Sequence, residues 1–160
     1  MKVFISYSVK DTDLVAKIAA SLKPNVQEVL WWPENKELGE QAWQTIHGWI
    51  DSSNVVIAVI TGNVVTRAMA VGNEIGRAVA KGKVVIPLVG PEVKAEDLGC
   101  LHGVAYERLD LTNPEPAIEN VRRRLQQLQQ RQLAKKEQDD LAAVAAIVGV
   151  VVLVICLSKS

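Results

Sequence analysis

TRAMAVGNEIGRAVAK, residues 66–81, lies between two apolar runs, VVIAVI at Val55–Ile60 and VVIPLV at Val84–Val89. Within it Ala68, Gly72, Ile75 and Val79 recur at three- and four-residue steps, which predicts a helix with these residues on its packing face. Ala70, Glu74, Arg77 and Lys81 form a neighbouring stripe, so the spacing sets Glu74 off that face. Two readings of Glu74 stand side by side. It is either a solvated partner of Arg77 at i+3, a pair worth about 0.2–0.5 kcal/mol, or a functional carboxylate carried by a helix that leaves a strand end. The GxxxG spacing of GNEIG suggests a close approach of this helix to the layer beneath it.

The flanking runs decide the architecture. NVVIAVIT, residues 54–61, is continuously apolar rather than alternating, as expected of a strand buried on both faces in a parallel sheet. Working outward, KVFIS (2–6) and EVLWW (28–32) read as further strands, the second stopped by Pro33, and residues 104–109 as a more polar edge strand. Helices are expected over 12–22, with Asp11 or Asp13 as its cap, and over 40–52, with Trp43, Ile46, His47 and Ile50 along one side, Trp43 as core or pocket wall and Trp49 as core edge or a contact surface. A weak short helix is expected over 95–101, and a last helix starts at Pro114 and Pro116. Five strands alternating with helices predict an α/β fold, a flavodoxin-like five-stranded parallel sheet with helices on both faces and strand order 2-1-3-4-5.

Ligands of such sheets bind beyond the carboxyl ends of the strands, where the strand order reverses between strands one and three. The loops expected at that rim are Tyr7–Lys10, Thr61–Asn63 and, beside them, the charged segment PENKELG at 33–39. Ser6, Tyr7, Ser8 and Thr61 therefore stand where hydroxyls reach ribose or phosphate, or serve as structural hydroxyls at strand ends. Neither His47 nor His102 has metal-ligand spacing, and no P-loop or GxGxxG is present, so no metal site and no bound cofactor are expected. Cys100 and Cys156 form no CxxC pair, which suggests a reducing compartment.

Several segments together carry a family resemblance: FISYSVKD at 4–11, the charged loop ending in Gly39, Trp43, SSNVVIAVIT at 52–61, NEIGRA at 73–78 and GKVVIPL at 82–88. In this order they resemble a Toll/interleukin-receptor (TIR) domain of the prokaryotic kind, over about residues 1–112. The resemblance implies the same fold and one of two activities: cleavage of NAD at the nicotinamide–ribose bond, with NAD as substrate, or self-association as a catalytically silent signalling scaffold. It makes Glu74 the catalytic glutamate of an NAD hydrolase. Residues 33–39 then correspond to the mobile loop of the family, through which copies of the domain assemble. NAD-cleaving members often carry Trp-Cys four and three residues before that glutamate, where this chain has Ala70 and Val71. Stacking on the substrate would then fall to Trp32 or Trp43, with Ser6, Tyr7, Ser8, Gly39 and Thr61 completing the expected substrate contacts. A phosphoacceptor receiver domain is a third reading, weakened because the first strand lacks the Asp that such a site needs.

The formal net charge is zero, but the charge is segregated. Residues 1–120 carry 11 Lys/Arg against 15 Asp/Glu, and residues 121–160 carry 7 against 3. A mildly acidic globular part does not suggest a nucleic-acid partner. Met1 leads straight into a strand pattern, so no secretory signal is expected. The organisation expected is a TIR domain over 1–120, a polar, helical linker over 121–140, and a transmembrane helix over 141–157. That last run holds no charged residue and contains 11 Leu, Ile or Val in LAAVAAIVGVVVLVICL. At ~1.5 Å per residue it spans about 25 Å, slightly short of a ~30 Å hydrocarbon core. Arg122, Arg123, Arg124, Arg131, Lys135 and Lys136 precede it, which predicts a single-pass membrane protein with its TIR domain in the cytoplasm. Self-association and the membrane are thus the expected partners, and cell defence is the role the family suggests.

Overall fold

A computed structural model describes residues 1–32 and 40–157, with side chains described at all of these except 40–41, 65–70 and 143–157. Five strands, β1 (Lys2–Ser6), β2 (Glu28–Leu30), β3 (Val55–Ile60), β4 (Val84–Val89) and β5 (Glu107–Arg108), form one sheet in the order β2-β1-β3-β4-β5. Every neighbouring pair is parallel. The chain is an α/β protein with the flavodoxin-like topology that the apolar runs predict. Four α-helices accompany the strands: α1 (Thr12–Leu22), α2 (Glu40–Ser52), α3 (Ala68–Ala80) and α4 (Glu115–Leu157).

β3 is the spine of the sheet. All six of its residues are buried, with β1 on one side and β4 on the other. Alternation along the strands sorts the side chains between the two faces. Phe4, Val56, Ala58 and Ile60 join Ile46 and Ile50 of α2 and Val71, Ile75 and Ala78 of α3 in one buried cluster. Ser6, two residues beyond Phe4, therefore points to the same face. β2 and β5 are shorter than the sequence suggests. β5 pairs only through Leu88↔Glu107 and Val89↔Arg108, so β4 tolerates Pro87 because it is an edge strand over most of its length. Short edge strands also limit unwanted pairing with other chains.

Three local expectations change. The packing face of α3 is turned by one position, about 100° on a 3.6-residue helix. Val71, Glu74, Ile75 and Ala78 are buried, whereas Gly72 is exposed and Val79 is 47% exposed. Small residues on both stripes leave the phase of this helix open in the sequence. The bulk of Val71 and the fit to β3 and β4 settle it. The glycines of GNEIG do not serve close approach, because a Cβ at Gly72 or Gly76 would meet nothing within 4 Å. On α2 it is Trp49, not Trp43, that packs against the core. Its ring lies 6.3 Å from Phe4 and 5.5 Å from Trp32, while the half-buried Trp43 lies 5.9 Å from His47 on its own helix.

The chain divides into two compact units, Met1–Arg123 and Arg124–Ser160. In the first, Arg122 anchors the start of α4 by donating to Ser21 Oγ at 2.6 Å, to Glu119 at 2.6 Å and to Glu115 at 3.0 Å. Pro116 sits in the first turn of α4, where its missing N–H breaks no helical bond. Residues 124–140 continue α4 as a helix, polar along most of its length. Among the described residues no helix is long and apolar enough to cross a membrane. The expected span 141–157 falls almost wholly among residues whose side chains lie outside those described.

Candidate active site at the carboxyl edge of the sheet

The loops that follow β1 and β3 are fastened to each other by one carboxylate. Asp11 stands at the N-cap of α1, yet its side chain makes no capping bond to that helix. It reaches across the rim instead. Its Oδ2 accepts from Thr61 Oγ1 at 2.6 Å and its Oδ1 from Asn63 Nδ2 at 2.7 Å. The Asn63 backbone N–H in turn donates to Thr61 Oγ1 at 3.2 Å. Asp11 is 7% exposed and Thr61 1%, so these are buried, charge-assisted bonds. Of the two expected caps, Asp11 or Asp13, Asp11 holds the N-cap position, but its side chain makes no capping bond there. The Thr61 hydroxyl, expected to meet substrate, spends its proton on Asp11. A third loop joins from the end of β4. Gly62 N–H donates to Glu92 Oε1, and Gly90 N–H to the Ile60 carbonyl at 2.8 Å. Arg108 braces that loop by donating to the carbonyls of Gly90 and Val93 at 3.0 and 2.8 Å.

Glu74 sits behind this rim. It is not the exposed partner of Arg77 that helical spacing allowed. Arg77 turns to Asp51 at the end of α2, with Nε and Nη2 at 3.0 and 2.6 Å from the two carboxylate oxygens. Hydrogen bonding from Arg77 holds the Asp51 carboxyl below its ordinary range against the opposing effect of burial, helped by the charges of Arg77, Lys81 and Lys83. Glu74 is 8% exposed, and its Oε2 accepts the proton of Ser6 Oγ at 2.6 Å. Glutamate is rarely this buried unless it is partnered, because removing a carboxylate from water is costly. Here the neighbours on its helix face are apolar: Val71, Ile75 and Ala78. The fold therefore maintains a carboxylate at the edge of its apolar core, beside the last residue of β1 and next to the crossing from β1 to β3.

The other sequence-selected residues are placed as follows. Ser6 and Ser8 are both fully buried. Among the described residues the Ser8 hydroxyl has no hydrogen-bond partner, which is rare for a buried polar atom. Tyr7 is 8% exposed, and its hydroxyl donates to the Trp32 carbonyl. Its ring also lies 6.2 Å from Trp31, so the β1 loop is tied to the end of β2. Trp32 is half-buried and packs on Trp49 and the core. Trp43 lies with His47 on α2. Gly39 and the rest of 33–39 lie outside the described residues. The structure thus brings Ser6 directly to Glu74 and ties Tyr7 to Trp32. Thr61 goes to Asp11, and the ring contact described for Trp43 is with His47.

The sequence reading missed Asp11, Asn63 and Glu92 as the fasteners of the rim. Their partners are 50, 52 and 30 positions away, and no local pattern marks them. The Ser6–Glu74 contact had a faint signal in the alternation of Phe4 and Ser6 along β1. A groove of about 280 Å³ opens beside α1, lined by Lys10, Asp11, Asp13, Lys17 and Thr112 among others, and Glu74 is not among its lining residues. Among the described residues no group of three or more His, Cys, Asp or Glu side chains is placed to hold a metal ion.

Residues 3–128 match the family model described as TIR domain. Among solved structures, the CMP N-glycosidase BcmB of Clostridium botulinum is similar in fold. The identity is 18%, the TM-score 0.56, and the match covers 76% of this chain and 98% of that one. A 2-deoxyribosyltransferase from Bacillus psychrosaccharolyticus overlaps more loosely, at 20% identity and a TM-score of 0.48 over 66% of this chain and 85% of that one. No curated protein matches the chain.

Proposed function

As this chain belongs to the TIR-domain family, we propose that it cleaves NAD at the nicotinamide–ribose bond, with Glu74 as the catalytic residue. The observation that carries the reading is the Glu74 carboxylate itself, 8% exposed and held by Ser6 at the switch point of the sheet. That place is where doubly wound sheets bind ligands. BcmB, similar in fold, is described as an N-glycosidase. At its low identity that likeness speaks to fold, and the choice of NAD rests on the family.

The chemistry suits a single carboxylate. The bond between C1′ of the ribose and the nicotinamide nitrogen breaks, and its electron pair neutralises the pyridinium ring. The leaving group departs uncharged and needs no general acid, unlike the paired-carboxylate hydrolysis of ordinary glycosides. Positive charge develops on the ribose, and the Glu74 carboxylate stabilises it. Water then attacks C1′ and releases a proton, giving nicotinamide and ADP-ribose. If the adenine of the substrate attacks instead, the product is cyclic. The Ser8 hydroxyl, buried and without a partner among the described residues, is a candidate contact for a sugar or phosphate oxygen.

The rest of the reading is organisational. The domain self-associates, with residues 33–39 among the contacts. Residues 141–157, uncharged and rich in Val, Ile and Leu, anchor it to a membrane with the TIR domain on the cytoplasmic side, as part of a cell-defence response. A silent scaffold is the second reading, and a specific observation favours it. Val71, at a position where NAD-cleaving members often have cysteine, is 2% exposed and packed in the core, and neither it nor Ala70 supplies an aromatic wall.

The test is nicotinamide release from NAD by the full chain in detergent or in vesicles, over a range of protein concentrations. Glu74→Gln keeps the size of the side chain and removes its charge. Turnover should fall about 10²–10³-fold, the scale of losing one transition-state stabiliser. Undiminished cleavage by a folded Glu74→Gln protein eliminates Glu74 as the catalytic group. No cleavage by the assembled wild type favours the scaffold.

A further inference from the structure

We infer that Ser6 is a positioning residue for Glu74, its hydroxyl fixing the carboxylate in the orientation that the reaction requires. This rests on the proposed NAD cleavage, but its origin is geometric. A serine hydroxyl has one proton to donate, and Ser6 gives it to Glu74 Oε2 at 2.6 Å, a short charge-assisted bond.

The two partners come from elements of different rigidity. Ser6 ends β1 in register with Ala58 of β3 and is fully buried. Glu74 projects from α3 on a side chain with three rotatable bonds, among Val71, Ile75 and Ala78. A flexible carboxylate at an apolar boundary gains solvation by turning outward. A donor on the strand beneath it opposes that rotation. Ser6 thus ties the carboxylate to the sheet rather than leaving its aim to its own helix. Catalytic groups need placement within about 0.5 Å of the productive geometry, so loss of such a tether acts on the reaction more than on substrate binding.

The experiment is a double-mutant cycle of wild type, Ser6→Ala, Glu74→Gln and the double variant, in the full chain. Ser6→Ala removes one oxygen from a buried strand end, and circular dichroism checks that the variant folds. In Ser6→Ala, kcat should fall about 10- to 100-fold while KM stays within about twofold, because a hydrogen bond to a charged group is lost but no substrate contact is. On the Glu74→Gln background, Ser6→Ala should change the residual rate by less than about twofold, since there is no longer a charge to aim. An unchanged kcat in Ser6→Ala, or losses that multiply in the double variant, overturns the proposal, because a purely structural serine acts whatever stands at position 74. If the wild type releases no nicotinamide, the NAD reading fails instead. Urea titration of the same four proteins then decides the Ser6 proposal: coupled stability losses support the tether, and additive losses overturn it.

Discussion

Replacing Asp11 with alanine should cost the fold about 3 kcal/mol, although Asp11 lies in a loop and away from the main apolar cluster. The magnitude follows from what its carboxylate holds. It accepts two short bonds, from Thr61 Oγ1 at 2.6 Å and Asn63 Nδ2 at 2.7 Å, and it is 7% exposed. A hydrogen bond to a charged group contributes about 1.5–3 kcal/mol. The substitution also strands the donor of Thr61, itself 1% exposed, and a buried unpaired donor costs about 1–3 kcal/mol. These effects overlap, because the emptied site relaxes and admits water, so they do not add in full. In a chain of this size each kcal/mol lowers Tm by roughly 3–4 °C, so a fall of about 10 °C is expected. Asp11→Asn keeps one acceptor and should lose about half as much. Thr61→Val made on the Asp11→Ala background should cost little more, because its partner is already gone. Urea unfolding followed by tryptophan fluorescence reads all four proteins. A loss below about 0.5 kcal/mol for Asp11→Ala, the size of an ordinary surface substitution, refutes the claim that this carboxylate fastens the rim.

Three further outcomes are expected. The Asp51 carboxyl is held below its ordinary value by Arg77, so the pair's small contribution is present above the unfolded aspartate value, about pH 4, and is lost as pH falls through the lower folded value. Acid titrations of wild type and Asp51→Asn should therefore converge at low pH, and a gap that persists there removes the pair from the account. Gly82 has φ +65° and Gly76 lies inside α3 with open space at its Cβ. Gly82→Ala should destabilise by about 1 kcal/mol, whereas Gly76→Ala should stabilise by about 0.5–1 kcal/mol, and equal effects in thermal melts contradict the backbone assignment. Full-length protein should fractionate with membranes while a chain ending at Asp140 stays soluble, and recovery of the intact chain without detergent rejects anchoring through residues 141–157.

The architecture was legible because its cause is local. Val55–Ile60 and Val84–Val89 are apolar at every position but Pro87, and a strand with no polar face requires cover on both sides. The segments between them have helical period, and parallel strands joined by helices leave few topologies. The family motifs lie on those same elements, so the address of Glu74 at the rim followed as well. Period does not determine phase, however. Ala and Gly populate both stripes of α3, so a rotation by one position, about 100°, separated an exposed Glu74 from the buried one that the sheet selects. Nor does a short-range pattern name a distant partner. Ser6 and Glu74 are 68 positions apart and Arg77 and Asp51 are 26, and which acceptor each donor meets depends on how the loops and helices close over the sheet. The sequence by itself determined the strands, their parallel order and the edge where chemistry is possible, since these follow from apolar burial and chain connectivity. Only the tertiary structure decided that Asp11 fastens the rim, that Trp49 rather than Trp43 packs inward, and that Ser6 holds Glu74, because directional bonds form only between groups that folding has already brought within about 3 Å.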